Sequence, residues 1–343
     1  MKKIFLFVVI FIVIASNVRA EKLKLVFTGD NLLGARMAGY IAKNGYDFPY
    51  EFASLTLQDS DISFGNLECP LTEYPHATLG KSAASLRAGR NFIFKAPPKY
   101  AEILPNARFD IMTLANNHMM DYRAQGLLDT MAALKAHKIL YVGAGKNAAE
   151  AAAPAIITEK GYRVGYLGYT MVVPGYSKAG INSPGLNTAM KGFSPEMADA
   201  IKSLKTKADI VVVTLHWGTE CMYYPNAYHK VVAHKLIDAG ADIVIGHHPH
   251  RIQGIEIYKG KVIAYSLGNF LFTGKSSIIE SMILRVVYED YKLNKIEIIP
   301  AWDKNGRPIP EYDPRLINRI TSISKGFGTK FDSNKYSLTV KLP

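Results

Sequence analysis

Cysteine is scarce: Cys69 and Cys221 are the only two in 343 residues. Two thiols make neither a disulfide scaffold nor a cysteine-ligated zinc site, although two can pair in an oxidising compartment. Long apolar runs are missing as well. The longest, residues 4–15, falls short of the roughly 20 residues that span a bilayer comfortably. Internal repeats, low-complexity tracts and compact nucleic-acid-binding motifs are absent, which leaves nucleic acid a poor candidate partner. Acid is in deficit. Lys and Arg number 41 against 29 Asp and Glu, a formal charge of +12. What remains is the balance of a globular protein, 48% hydrophobic and 20% charged, with a sizeable core.

Lys2 and Lys3 followed by the apolar run and by Val18-Arg19-Ala20 read as a signal peptide over residues 1–20, with an uncleaved amino-terminal anchor as the alternative. Either way the chain is expected to be exported, to a periplasmic or extracellular place or to a membrane surface. Setting aside the three charges of Lys2, Lys3 and Arg19 lowers +12 to +9. A basic exported protein attracts anions such as cell-surface polymers and phosphates. Charge that merely aids solubility is the plainer alternative.

From residue 24 to about residue 272 one pattern recurs. Short β-branched apolar runs (24–28, 62–64, 109–114, 163–168, 210–215, 243–245 and 262–265) alternate with amphipathic stretches at 126–137, 196–205 and 227–239. Such runs fit strands buried on both faces, and the alternation fits an α/β domain. Gly240 fits a helix C-terminal cap. A hairpin is expected from 281–288 and 292–299. Residues 81–99 carry five basic residues and no acid, and read as an irregular surface insertion that is either solvated or overhangs a site. The segment 305–343 reads as a short tail.

Polar clusters sit where the apolar runs stop. Asp30 follows the first run, Asn66 and Glu68 the second, and Asn116-Asn117-His118 the third. His216 through Glu220, Gly246 through His250 and Ser266 through Phe270 follow three more. Sites in α/β sheets form beyond the carboxyl ends of strands, so six such clusters predict one rim. Imidazole, carboxylate and amide oxygen suit zinc, manganese or iron without any thiolate. His248 and His250 alternate across Pro249, so an extended segment places both on one side. A nucleophilic triad is the competing chemistry. Ser266 lacks the Gly-x-Ser-x-Gly elbow, and nothing marks Cys69 or Cys221 as a thiolate.

Gly29-Asp30, Asn66-Leu67-Glu68, Ala115 through His118 with Asp121, His216-Trp217-Gly218 with Glu220, Gly246 through His250 and Ser266 through Phe270 resemble, as an ordered set over roughly residues 24–275, the CapA family of bacterial capsule and poly-γ-glutamate synthesis proteins. That family is similar in turn to calcineurin-like metallophosphatases. The resemblance implies a four-layer αββα sandwich with a short C-terminal extension, a domain over 21–304 (motif-bearing core 24–275) and a tail over 305–343. It implies one or two divalent metals held by Asp30, Glu68, Asn117, His216, His248 and His250, with His118 as a proton donor. A pair of metals activates a water and holds the developing oxyanion.

This sequence departs from the metallophosphatase pattern in two places and from the CapA pattern in a third. Leu32 stands where a histidine is usual, Asn66 where an aspartate is usual, and Arg123 where a glycine is usual. Asp121 either orients His118 or is an early-helix acid. Asn66, Asn116, Glu220 and Arg90 are the candidate substrate contacts, Glu220 being alternatively a ligand or a surface acid. Trp217 reads as a packing wall, Asn269 as a loop holder, and His247 as structural or exposed. Cys69 follows Glu68 and Cys221 follows Glu220, so a disulfide clamping the site is a hypothesis of position. The expected function is metal-dependent hydrolysis of an anionic envelope polymer or its phosphorylated precursor, beside membrane-bound capsule machinery. The alternatives are a non-catalytic polymer-binding and export subunit, and an amide hydrolase of poly-γ-glutamate.

Overall fold

The computed structural model describes residues 21–88, 91–273 and 278–342; the expected signal segment and Arg90 lie outside the described residues. The apolar runs form two sheets. In the first, Leu23–Asn31, Ile62–Leu67, Ile111–Thr113 and Leu140–Val142 pair in parallel. In the second, Tyr162–Thr170, Ile210–His216, Ile243–His247 and Lys261–Ala264 do the same. Ile210–His216 is buried at every position, as a strand covered on both faces must be. Both sheets are mixed. Ile278–Glu289 runs antiparallel to the first strand, and Ala155–Glu159 and Ile255–Tyr258 close the second sheet with antiparallel edges.

The sheets pack face to face. Phe27, Phe64 and Ile111 meet Tyr166, Val212 and Ile245, and the rings of Phe64 and Tyr166 stack at 5.9 Å. Helix Arg123–Ala136 covers the outside of the first sheet through Leu127, Met131 and Leu134. Pro195–Lys205 and Ala227–Asp238 cover the second through Met197, Ile201 and Leu204 and through Val232 and Leu236. Spacings of three and four put these residues on one helix face. Ser194 and Asn226 cap the last two helices by accepting from the N–H groups of Met197 and His229. Gly240, at φ +118°, follows the third helix and donates to the Ile237 carbonyl. Helices, sheet, sheet and helices make the expected four layers. No helix among the described residues is long and apolar enough to cross a membrane.

The segment expected as a tail is built into this body. Arg307–Pro310 and Leu338–Val340 both pair with Lys292–Lys304. Helix Pro314–Lys325 buries Leu316, Ile320 and Ile323 in the core between the sheets. Arg315, Arg319 and Lys325 on its other faces dilute that apolar spacing in the sequence.

Candidate metal centre

The parallel strands of both sheets end at one rim. Asp30 is placed there by a register shift between Phe27 and Asp30. Gly29 must be glycine, because a Cβ would lie 1.9 Å from the Gly268 carbonyl oxygen; the Asp30 amide donates to that oxygen at 3.0 Å. Gly246 is constrained likewise by the Tyr265 carbonyl and by Trp217, whose buried indole donates to that carbonyl at 3.0 Å. Trp217 is a packing wall.

His248 and His250 come together by a route other than the expected extended segment. Their strand ends at His247, and the turn that follows holds His248 at φ +99° and His250 at φ +52°. Non-glycine residues in that region carry strain that surrounding contacts must hold, a common property of functional turns. The two rings lie 5.9 Å apart, and His248 is 4.8 Å from the ring of His216.

Asp30 and Glu68 are fully buried between these rings. His250 Nδ1 is 3.3 Å from Asp30 Oδ2, and its Nε2 is 3.6 Å from Glu68 Oε1. His216 Nε2 lies 2.8 Å from Asn117 Oδ1 and 3.9 Å from Glu68 Oε1. All six sequence-derived ligand candidates therefore share one cluster. Glu220 stands at its exposed edge, with a carboxylate oxygen within 4.8 Å of ring nitrogens of His248 and His250.

Asn66 and Asn116, expected as substrate contacts, are fully buried and committed within the protein. The Asn66 amide donates to Asp30 at 2.9 Å and to Glu68 at 3.2 Å. Asn116 donates to Asn66 and to the Leu67 carbonyl, and accepts from the amides of His118 and Met119. Both set the directions of the carboxylates and of the 116–119 turn.

Asp121 lies before the helix that starts at Arg123, and its Oδ2 is 2.8 Å from His118 Nδ1. Arg123 stands at φ +59°, which gives the glycine usual at that position a physical reason. Lys81, read in the sequence as part of a basic surface insertion, is instead buried. Its ammonium pairs with Asp121 Oδ1, donates to the Phe92 carbonyl at 2.8 Å and lies 3.2 Å from His118 Nδ1. The Phe94 amide donates to Asp121 Oδ2, and its ring packs 4.5 Å from His118. The described remainder of that segment is largely irregular, apart from the short helix Ala83–Arg87 and the start of a 3-10 helix, Pro98–Glu102.

Three further residues touch the site beyond those expected as ligands or substrate contacts. His247 is buried rather than exposed, with Nδ1 3.2 Å from Asp30 Oδ1. Asn269 pairs in the sheet beside Asp30 and also faces His250 Nδ1 through its own side chain at 2.8 Å. Phe272 packs 4.8 Å from the His250 ring. The disulfide hypothesis fails. Cys69 is a free thiol in the apolar core under the first sheet, pushed up to about 12 by burial, while Cys221 is free and exposed. Buried Ser266 holds its own turn by accepting from the Gly268 amide at 3.2 Å.

Burial strains the charges. It works against ionised Asp30, yet His247 and His250 outweigh it and hold that carboxyl below its ordinary range. Burial, then the neighbouring Asp30 charge, raise Glu68. Burial opposes a proton on His250 too, but Glu68 and Asp30, with Asn269, raise it to about 10. Burial and then His250 lower His248 to about 3, and burial lowers His118 and His216. Glu68 Oε1, His216 Nδ1 and His248 Nδ1 are buried without a hydrogen-bond partner. Orphaned lone pairs on neutral imidazoles beside paired carboxylates fit a divalent cation. Leu32, in place of the usual histidine, is fully buried in the apolar core and supplies nothing to it.

Residues 24–274 match the family model of the bacterial capsule synthesis protein PGA_cap. The capsule biosynthesis protein CapA of Bacillus anthracis is 32% identical over 88% of this chain and 72% of its own length. The PGA biosynthesis protein CapA of Bacillus subtilis is 31% identical over 93% of this chain and 83% of its own. Among solved structures, a 5'-nucleotidase precursor from Thermus thermophilus superposes with a TM-score of 0.45 at 14% identity, over 89% of this chain and 59% of that one. With the model spanning most of its length and two relatives above 30% identity, the chain belongs to the PGA_cap family of bacterial capsule synthesis proteins.

Proposed function

We propose that this chain is an exported, metal-dependent hydrolase of capsule or poly-γ-glutamate synthesis, acting on an anionic envelope polymer or its phosphorylated precursor beside membrane-bound machinery. The observation that carries the reading is the set of buried, unpartnered donor atoms on Glu68, His216 and His248 around paired carboxylates. Asp30, Glu68, Asn117, His216, His248 and His250 hold the cation. A bound divalent ion supplies Lewis acidity and an acidified water at neutral pH. The protein's own residues do the rest. Asn66 aims both carboxylates, and Asn116 fixes the turn bearing Asn117 and His118. With Nδ1 engaged by Asp121, Nε2 of His118 is the ring atom left to pass a proton to a leaving group. The basic balance of the chain draws anions toward the cleft.

The test is metal content per chain of the purified mature protein, beside a His248→Ala, His250→Ala double variant. One or two equivalents of manganese, iron or zinc, lost in the variant, support the reading and direct screening to phosphoesters and γ-glutamyl amides. A wild type without metal, even after reconstitution, selects polymer binding without catalysis. The apolar burial of Leu32 favours that second reading.

A further inference from the structure

We propose that Glu220 is a metal ligand, and that with His248 and His250 it forms an outer, solvent-facing cation position at the mouth of the centre. This rests on the metal reading above and goes beyond it in position, ligand and use. The inner group, Asp30, Glu68 and His250, is largely sealed; the outer group has one exposed carboxylate and two imidazoles, with ligand atoms within 4.8 Å of one another.

Two observations on the backbone show that the turn is built to present Glu220 there. Gly218 at φ +97° and Cys221 at φ +64° bend the chain on either side of it. The Cys221 amide then donates to the Pro249 carbonyl at 2.7 Å, and the Trp217 amide to the His247 carbonyl at 3.0 Å. The turn carrying Glu220 is thus lashed at both ends to the turn carrying His248 and His250. A side chain added at Gly218 would crowd Pro249, whose Cγ lies 3.1 Å from an ideal Cβ.

The carboxylate itself is uncommitted. Among the described residues Glu220 has no hydrogen bond or ion pair, and the buried Nδ1 of His248 has no partner. Glu220 also lines a cleft of about 500 Å³, with Lys81, Asn117, Thr219 and His248. A bare carboxylate at the mouth of a cleft meant for an acidic substrate repels it. A divalent cation on that carboxylate reverses the sign, and its solvent side accepts carboxylate or phosphate oxygens. The outer ion is therefore the grip for an acidic chain. A neutral imidazole offers one lone pair, so His250 cannot serve both positions fully and the outer one binds more weakly.

The test is titration of the metal-free full chain with Mn²⁺ alone, followed calorimetrically and by the resonance signal of free Mn²⁺. The wild type is expected to bind in two steps. Glu220→Gln weakens the second step by at least about tenfold and leaves the first unchanged, whereas Glu220→Asp retains part of the second. Glu220 is exposed, and thermal melts of the metal-free variants verify that the fold is kept. A second step unchanged in Glu220→Gln, or a single step in the wild type that the variant does not alter, overturns this inference and leaves the metal reading standing. No Mn²⁺ uptake by the wild type overturns the metal reading, and the outer position with it.

Discussion

The two poles of the sheets use the same side chains to opposite ends. Where the parallel strands begin, acids and bases meet at the surface. Lys160 pairs with Asp61 at 2.6 Å, Arg163 with Asp209 at 2.8 Å, Lys24 with Asp59, and both Lys205 and Lys261 with Asp242. Where the strands end, Asp30 and Glu68 are fully buried among histidines, several of whose ring atoms have no partner, and Lys81 and Asp121 pair almost out of solvent. Charge at the first pole is neutralised and, buried Asp242 apart, wet. At the second it is concentrated and dry, an arrangement that persists because the scaffold holds it and an ion can complete it.

The contrast is sharpest in ion pairs of one chemistry. Lys81→Met is expected to destabilise the protein by about 3–5 kcal/mol in urea unfolding, because buried Asp121 loses its ammonium partner and keeps only the His118 ring and the Phe94 amide. A loss below about 1 kcal/mol would put this pair in the same class as those of the opposite pole. Next in size is removal of metal. Chelation is expected to lower the unfolding free energy by about 2.7 kcal/mol relative to protein at a hundredfold excess over Kd, and to leave a His248→Ala, His250→Ala variant unmoved. A chelator shift that survives in the variant breaks the link between the dry pole and the ion.

Asp303 supplies a control, a buried carboxyl away from the histidines. Burial lifts it to about 8 against the Gly306 and Phe272 amides, so in the folded chain it holds a proton that the unfolded chain releases near its ordinary value of 3.8. Its contribution is complete below that value and drains away as pH rises toward 8. Asp303→Asn should escape this drift. Between about pH 6 and 7 the wild type is expected to lose up to about 1.4 kcal/mol relative to the variant. Parallel stability curves over that unit would deny Asp303 its buried proton. The smallest effect belongs to the wet pole: Lys160→Ala or Arg163→Ala is expected to change stability by less than about 1 kcal/mol, less still in high salt.

The layers and the gathering of Asp30, Glu68, His216, His248 and His250 were legible because strand and site share one signal. An apolar run that stops at a polar cluster marks both a buried strand and its functional end. What escaped had no such signal. Lys81 and Asp121 are 40 positions apart in the chain, and nothing near Lys81 separates a buried ammonium from the other basic residues of its segment. His248 and His250 were placed on one side by alternation, yet φ values of +99° and +52° put them in a turn. Cys69 and Cys221 each follow a site acid, but one turns into the core and the other to solvent. The residues after 304 looked like a tail because Arg and Lys interrupt their apolar spacing.

The first strand lies inside its sheet, between Ile62–Leu67 on one side and Ile278–Glu289 on the other. A chain that emerges amino end first from a ribosome therefore carries Leu23 to Phe27 with one edge bare until residues 278–289 arrive. Asp30, at the tip of that strand, is flanked instead by Asn66 and by Asn269, itself late in the chain. Completion of the centre is thus a late event in the life of each new chain. Truncation before the hairpin would leave a sticky, unpaired strand edge as well as a missing piece.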